Sequence, residues 1–444
     1  MKITLIKPNI GRMEHSLYVD EGRMEPLQLG VIAALTPPEF DVVLFDDRME
    51  EIPYDEKTDL VAITVETFTA RRAYEIAKEF RARGTPVIMG GFHPTLIPEE
   101  VKNYCDSIMV GDAEGLWNEV CSDLKNYKKI KPIYKSWPGI GQPLGVLPRR
   151  DLFKNKGYLP ITLLQYGRGC EFACNFCAIS AFFNQKNFRR PLEEVVNEIK
   201  TQGRKILFFV DDNIVAHKPS AKELFKAITP LKRRWVSQGS LDMLDDPELM
   251  DLMKKSGLLG NVIGFESINP QALKEMKKSP NIGNFDGYQT QITKLENLGL
   301  QTWAAFTLGH DWEQIEDIYK TYDFAIRAKF TFAAYNILMP YPGTPLYKRL
   351  EEEKRLLYDG KWWLHPEYRF NYAAFRPQNM TADQLTEHVF EIRKRWNSFG
   401  AIFKRFLAPK TNMRSLERAI IYWSYNPLFR KETFKKQGMH FGQK

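Results

Sequence analysis

Gly167-Arg168-Gly169-Cys170-Glu171-Phe172-Ala173-Cys174-Asn175-Phe176-Cys177 gathers three of the chain's five cysteines within eight residues, at the spacing C-x3-C-x2-C. A C-x2-C pair alone belongs more often to a zinc or redox site. A structural zinc site wants four ligands, and the nearest candidates for a fourth, His93 and His217, are far away in sequence. An odd, sparse set of cysteines with no apolar signal segment before it argues against a disulfide framework. An iron–sulfur cluster of four irons held by three thiolates keeps one iron without a protein ligand, and that iron calls for a ligand from outside.

Working outward, residues 161–166 read as a strand that leads into the cysteines. Further strands follow at 206–210, 235–240, 261–265, 302–308 and 332–338, separated by amphipathic helices at 191–202, 220–234, 247–256, 285–298 and 312–328. Six such βα units predict a partial barrel over 161–350, open on one side, with its active groups on the loops after the strands. Upstream, short apolar strands at 2–7, 42–45, 60–64, 86–90 and 107–110 alternate with helices at 27–35, 69–83, 98–104 and 114–125. The pattern predicts an α/β fold with a doubly wound parallel sheet over 1–130. Ligands bind such sheets at the carboxyl ends of the strands, where this sequence places Thr64, Glu66, Gly90, Gly91, His93, Gly111 and Glu114. The paired glycines would let a backbone approach a bulky ligand closely. Residues 131–160, with Trp137-Pro138-Gly139-Ile140-Gly141, read as a linker, and 351–444 as a mostly helical, basic region.

The cysteine spacing resembles the radical S-adenosylmethionine (SAM) superfamily, and the resemblance extends over residues 155 to 350. It implies a [4Fe–4S] cluster on Cys170, Cys174 and Cys177, with SAM's amino and carboxylate groups on the fourth iron. Cluster reduction would then cleave SAM to a 5′-deoxyadenosyl radical. The resemblance also assigns roles at successive strand ends. Phe176 would pack beside adenine; Asp211, Asp212 and Asn213 would bind the amino group; Gln238 and Ser240 would reach the carboxylate or the substrate. Glu266 and Ser267, in Gly264-Phe265-Glu266-Ser267, would lie near the ribose, and Thr307 and Gly309 at the adenine. Each carboxylate alone reads as an exposed loop charge; their recurrence at strand ends is what carries the assignment. Arg168 has three readings: an offset to cluster charge, an anion contact for substrate, or a surface salt bridge.

The N-terminal stretch is similar to the cobalamin-binding domain that precedes the barrel in one branch of that superfamily. The Gly90-Gly91-x-His93-Pro94-Thr95 and Gly111-x-x-Glu114 turns carry the likeness, which implies cobalamin contacts from the strand-end residues named above. The D-x-H-x-x-G motif with its cobalt-coordinating histidine is absent, as it is from several members of the branch, and His15 has the wrong spacing to replace it. The family comparison implies methyl transfer from methylcobalamin to an unactivated carbon of a hydrophobic substrate, a lipid or tetrapyrrole, or of a natural product. Radical cyclisation or rearrangement without methyl transfer is the alternative. The partners it implies are a small molecule and an electron donor such as flavodoxin or ferredoxin. An RNA-modifying methylthiotransferase would carry three further cysteines in the N-terminal domain, where this chain has Cys105 and Cys121, read as buried core thiols; nucleic acid is therefore not the expected partner.

The net charge of +8 is local: residues 391–444 hold 13 Lys and Arg against 3 Asp and Glu, so the other 390 residues carry about −2. Aromatics interleave with these charges, among them Trp396, Phe399, Phe403, Tyr422, Trp423 and Phe429. Such a segment fits a helical cap packed on the main domain, a peripheral contact with an anionic bilayer, or a nucleic-acid surface. Trp362, Trp363, His365, Tyr368 and Tyr372 form a second aromatic group, as core or as a pocket wall. With no run of eighteen apolar residues to span a bilayer, the expected location is the cytoplasm, with the tail at the inner face of the membrane.

Overall fold

Runs of aliphatic residues build a first, six-stranded sheet: β1 (Lys2–Lys7), β2 (Asp41–Asp46), β3 (Leu60–Thr64), β4 (Val87–Gly90), β5 (Ser107–Val110) and β6 (Ile133–Lys135). The computed structural model describes residues 1–11, 23–136, 146–283 and 285–442; His15 and Trp137 to Gly141 lie outside them. All strands are parallel, in the order β2-β1-β3-β4-β5-β6. The chain winds to one side of β1 and then to the other, which opens a crevice at the strands' carboxyl ends. Leu60, Val61, Ala62 and Ile63 are all buried, as expected of a central parallel strand covered on both faces. Helices Leu27–Leu35 and Trp117–Tyr127 cover one face through Leu29, Ala33, Val120 and Leu124. Helix Ala70–Ala82 covers the other through Ala73, Ile76, Ala77 and Phe80. β6 falls in the segment expected to be a linker: with only Tyr134 buried between exposed Ile133 and Lys135, it is too short to show a period.

The second sheet starts at β7 (Thr162–Leu164). An antiparallel pair, β8 (Gly167–Gly169) with β9 (Asn187–Arg189), then frames the cysteine loop. β10 (Ile206–Phe209), β11 (Arg234–Gly239), β12 (Leu258–Glu266), β13 (Trp303–Leu308) and β14 (Phe332–Ile337) follow, all parallel, in the order β7-β10-β11-β12-β13-β14. The six parallel strands form the expected partial barrel, with β7 and β14 at its open edges. Leu207, Phe209, Trp235, Ile263, Phe265 and Phe306 fill its core, and helices Leu192–Thr201, Lys218–Ile228, Pro247–Lys255, Gln289–Leu298 and Ile315–Arg327 alternate with the strands.

The C-terminal region contributes helices Ala382–Trp396, Phe399–Phe406 and Leu416–Lys436. Part of its basic, aromatic character is structural. Trp396 packs edge-on to Tyr335, Phe429 lies against Trp303, and the buried Arg405 guanidinium stacks 3.6 Å above Trp396. Of the second aromatic group, Trp362, Trp363 and Tyr368 are core: with Phe68 and Phe441 they close over the helix-covered face of the first sheet. Their polar edges are satisfied, Trp362 Nε1 donating to Pro340 O at 3.0 Å and Trp363 Nε1 to Glu100 Oε1 at 2.8 Å. The chain then returns to its start, Gly442 N donating to Ile10 O at 3.0 Å. Among the described residues no helix is long and apolar enough to cross a membrane.

Trp362 joins three parts of the chain at full burial, so Trp362→Ala is expected to lower the stability of the fold by about 3–5 kcal/mol. Urea unfolding followed by circular dichroism measures the loss; Trp362→Phe, which keeps most of the packed volume, is expected to lose less than half as much.

Candidate active site between the two sheets

The cysteine loop is held from behind by two carboxylates at the end of β10. Asp211 accepts from Tyr166 N at 2.9 Å with one oxygen and from Gly167 N at 2.5 Å with the other, while Asp212 accepts from Gly169 N at 2.7 Å. Burial pushes the Asp211 carboxyl up to about 7 against those two donors. Asp211 was expected at the SAM amino group; both of its oxygens are engaged by the loop backbone. Gly169 has φ 81°, and a Cβ there would meet Lys186 O at 2.1 Å, so only glycine lets β8 and β9 pair at this point. Within the loop Cys177 N donates to Cys174 O at 3.2 Å. Asn175 ties the loop to the barrel through Met276 O, Glu275 O and the N–H of Leu346.

The thiols of Cys170, Cys174 and Cys177 are free and within electrostatic reach of one another. Among the described residues no three His, Cys, Asp or Glu side chains converge as ligands of one metal ion. A four-iron cluster takes one thiolate on each of three irons, a demand that three free thiols on one short loop match in number and kind. Asn213 Nδ2 lies 3.9 Å from Cys170 Sγ and 3.0 Å from Ser240 Oγ, bringing two expected residues to the loop. Gln238 is the penultimate residue of β11, its carbonyl accepting from Ile214 N.

Lys278, in a Lys-Lys-Ser-Pro run that reads as surface, is a largely buried cation facing Cys174 and Cys177. Its ammonium pairs with Glu266 Oε1 at 2.9 Å, and Thr307 Oγ1 donates to Glu266 Oε2 at 2.7 Å. Thus Glu266, expected near the ribose, has one partner on each oxygen. Glu313 was also missed. It takes Ser267 Oγ at 2.5 Å, Gly309 N at 2.8 Å and His310 N at 3.0 Å, fixing the turn after β13. His310 lies edge-on to Phe176 with ring centroids 6.2 Å apart, and burial pushes its imidazole down to about 4.

A cavity of about 420 Å³ opens between the sheets, at the carboxyl ends of the first. Thr64, Glu66, Gly90, Gly91, Gly111 and Glu114 line it from one side, Arg168 and Asp212 from the other. Its deep wall is apolar, with Leu29, Ile88, Met109 and Trp117. Glu66 accepts from Lys7 Nζ at 2.7 Å, and that cation holds the carboxyl below its usual range. Gly91 at φ 114° and Gly111 at φ 84° serve the sheet itself, since a Cβ at either would strike the backbone of Val65 or Ser136. Arg168 is not a surface pair: its guanidinium forms a mostly buried ion pair with Glu114 and lies 3.5 Å from Asp112, so it joins the barrel to the first sheet. His93 corrects an expectation. It is fully buried and does not line the cavity; its ring sits behind the strand ends, Nδ1 3.3 Å from Thr67 Oγ1 and Nε2 3.1 Å from Tyr74 Oη, edge-on to Trp363. Helix Phe92–Leu96 turns the side chain toward helix Ala70–Ala82. Tyr341, after β14, stands within electrostatic reach of both Glu66 and Cys177, at the junction of the two halves.

Residues 164–325 match the model of the Radical SAM superfamily. Along nearly its whole length the chain is similar to the bacteriochlorophyllide d C-12(1)-methyltransferase of Chlorobaculum tepidum, 29% identical over 93% of this chain and 90% of the relative. The fold is similar to that of the cobalamin-dependent SAM radical enzyme OxsB, whose structure holds aqua-cobalamin and SAM (TM-score 0.67, 14% identity, 98% of this chain and 72% of that one). It is also similar to the radical SAM methyltransferase TsrM of Kitasatospora setae, with cobalamin and a [4Fe–4S] cluster (TM-score 0.62, 18% identity, 79% and 78%).

Burial raises the Glu313 carboxyl from 4.5 to about 7. The folded state therefore keeps a proton that the unfolded chain has lost between these values, so this group's contribution to stability is complete below pH about 4.5 and disappears as pH rises to about 7. Glu313→Gln is expected to flatten that part of the pH–stability curve in urea titrations. Glu313→Ala, which strands two buried backbone N–H groups, is expected to cost about 2–4 kcal/mol at every pH.

Proposed function

We infer that this chain, whose residues 164–325 form a radical SAM domain within the build of the cobalamin-dependent radical SAM enzymes, methylates an unactivated carbon of a hydrophobic, tetrapyrrole-like substrate. The observation that carries the reading is a shared space. Arg168, two residues before the first cysteine of the trio, lines the same cavity as Glu66 and Gly91 at the ends of the first sheet's strands. A bulky ligand on the sheet and a reactive group on the cysteine loop would thus face one substrate.

Cys170, Cys174 and Cys177 are assigned to a [4Fe–4S] cluster, which with SAM supplies a deoxyadenosyl radical, while cobalamin against the first sheet supplies the methyl group. Hydrogen-atom abstraction and methyl transfer are cofactor chemistry, and the protein's part is to orient and to exclude water. Lys278 sets a positive charge beside two of the thiolates. Asn213, Gln238 and Ser240 are assigned to the amino-acid end of SAM; Glu266, Ser267, Thr307 and Gly309 to its nucleoside end. Asp211 and Asp212 act through the loop they hold. Phe176 and the neutral His310 form a dry wall beside the cluster loop. Thr64, Glu66, Gly90, Gly91, Gly111 and Glu114 are assigned to cobalamin. The likeness to the bacteriochlorophyllide methyltransferase supports a tetrapyrrole substrate. Reduction calls for a small electron carrier such as flavodoxin or ferredoxin, and a cytoplasmic enzyme taking substrate from the membrane's inner face fits both partners.

Anaerobically reconstituted protein with dithionite and SAM is expected to form 5′-deoxyadenosine, and Cys174→Ala to lose both its iron and that product to background. Protein produced with cobalamin is expected to keep corrinoid absorbance through gel filtration. With bacteriochlorophyllide d as substrate, the product is expected to gain the mass of one methylene unit. Nucleoside formation without retained corrinoid overturns the methyl-transfer assignment, and no nucleoside from iron-loaded protein overturns the whole reading.

A further inference from the structure

The long C-terminal helix Leu416–Lys436 leaves a row of apolar side chains in solvent, although Phe429 packs inward on Trp303 and Phe332. Its inward face buries Arg418, Tyr422 and Asn426. There Arg418 donates to Leu259 O at 2.6 Å, Tyr422 to Ile402 O at 2.6 Å, and Asn426 Oδ1 accepts from Arg405 at 3.1 Å. The outward face carries Leu416, 78% exposed, Ile420, 56% exposed, Trp423 and Phe434. Displacements of four, seven and eighteen residues from Leu416 set these on one side of the helix. Helix Phe399–Phe406 beside it also presents apolar side chains to solvent: Phe399 and Phe403 stand exposed, while Ile402 and Arg405 are buried. The two outward faces are continuous: the Phe406 and Trp423 rings are 5.1 Å apart, and Arg430 lies over both Phe399 and Phe434. Exposed Leu407 and Met413 extend the band along the connection between the helices.

The charge around this band is predominantly positive. Lys404 is exposed on the first of these helices, while Lys410 and Arg414, exposed in the connection, reach Asn297 Oδ1 at 3.1 Å and Leu298 O at 2.8 Å at the end of helix Gln289–Leu298. Each of the three acids in residues 391–444 is matched by a cation: Glu391 by Arg395, Glu417 by Arg234 at 2.8 Å, and Glu432 by Lys436. A second copy of the chain on this face would bring lysines against lysines with no acid to answer them. A nucleic acid would meet the cations but give no reason for exposed leucine, isoleucine and methionine. An anionic bilayer answers both features, taking apolar side chains to the depth of the headgroup boundary while phosphates meet the cations.

We propose that the outward face of helices Phe399–Phe406 and Leu416–Lys436 docks on an anionic lipid surface. The proposal gives residues to the membrane contact of the functional reading, yet rests on the surface alone and stands whatever reaction the barrel performs. Flotation of the full chain with phosphatidylcholine vesicles, with and without phosphatidylglycerol, tests it without an activity assay. Strong flotation with the anionic vesicles, weakened by salt, is expected. I420S/W423S and K404E/K410E are each expected to lower the partition coefficient by roughly tenfold to a hundredfold, with melting curves like the parent's. Absence of flotation with anionic vesicles overturns the proposal, as does flotation that neither variant changes. Conversion of a dimer to a monomer by I420S/W423S with flotation unaltered would assign the face to self-association instead. Duplex RNA binding that only K404E/K410E abolishes, without vesicle binding, would assign it to nucleic acid.

Discussion

Two adjacent carboxylates hold this molecule's chemistry in place. Asp211 and Asp212 accept three backbone N–H groups from Tyr166, Gly167 and Gly169, the residues immediately before Cys170. Without them the loop would leave the barrel with unsatisfied donors in a buried position, which a fold rarely tolerates. The hairpin of β8 and β9, the thiols it presents and the pairing of Arg168 with the first sheet all follow from that attachment. The acids themselves are costly to bury and become tolerable through the same donors. Position and function are thus coupled at the end of one strand.

A second set of buried charges fixes the halves relative to each other. Glu25, from the N-terminal part, accepts from Arg150 at 2.9 Å and Arg204 at 2.5 Å, while Glu198 of the barrel accepts from Arg150 and Arg190, each at 2.8 Å. Arg150 therefore spans the interface with one guanidinium. Such networks add little net stability, since desolvation offsets attraction, but they specify one arrangement because any other strands a charge. Around the cavity the same logic recurs in Arg168 with Glu114 and Asp112. The walls that would grip a bulky cofactor are thereby kept in register with the cysteine loop.

Much of this was legible in the chain. The parallel strands of both sheets emerge from alternating apolar runs and amphipathic helices, except β6, and helix Leu27–Leu35 falls where its pattern ends at Pro37. What escaped has a common cause: it depends on contacts across long sequence separations. β8 is Gly-Arg-Gly and has no side-chain period to read; β6 shows one buried residue. His93 sits in a motif that points to a ligand, yet its ring turns into a network with Tyr74 and Glu100. Lys278 and Glu313 look like surface charges, and only their partners Glu266 and Ser267 reveal them as interior. Composition pointed to the basic tail but could not divide its arginines into buried ones, such as Arg405 and Arg418, and the outward Arg414.

The bond between Gly442 and Ile10 closes the polypeptide into something close to a ring. Between these residues the path runs through the first sheet, the barrel and the terminal helices, so this clasp around Phe441 adds to the covalent connection and the ion pairs that already join the halves. A book bound on both edges does not swing open like one with a single spine. The clasp opposes separation of the two bodies about the covalent connection alone. A fold fastened in this way suits chemistry in which a reactive species is to be held apart from bulk solvent.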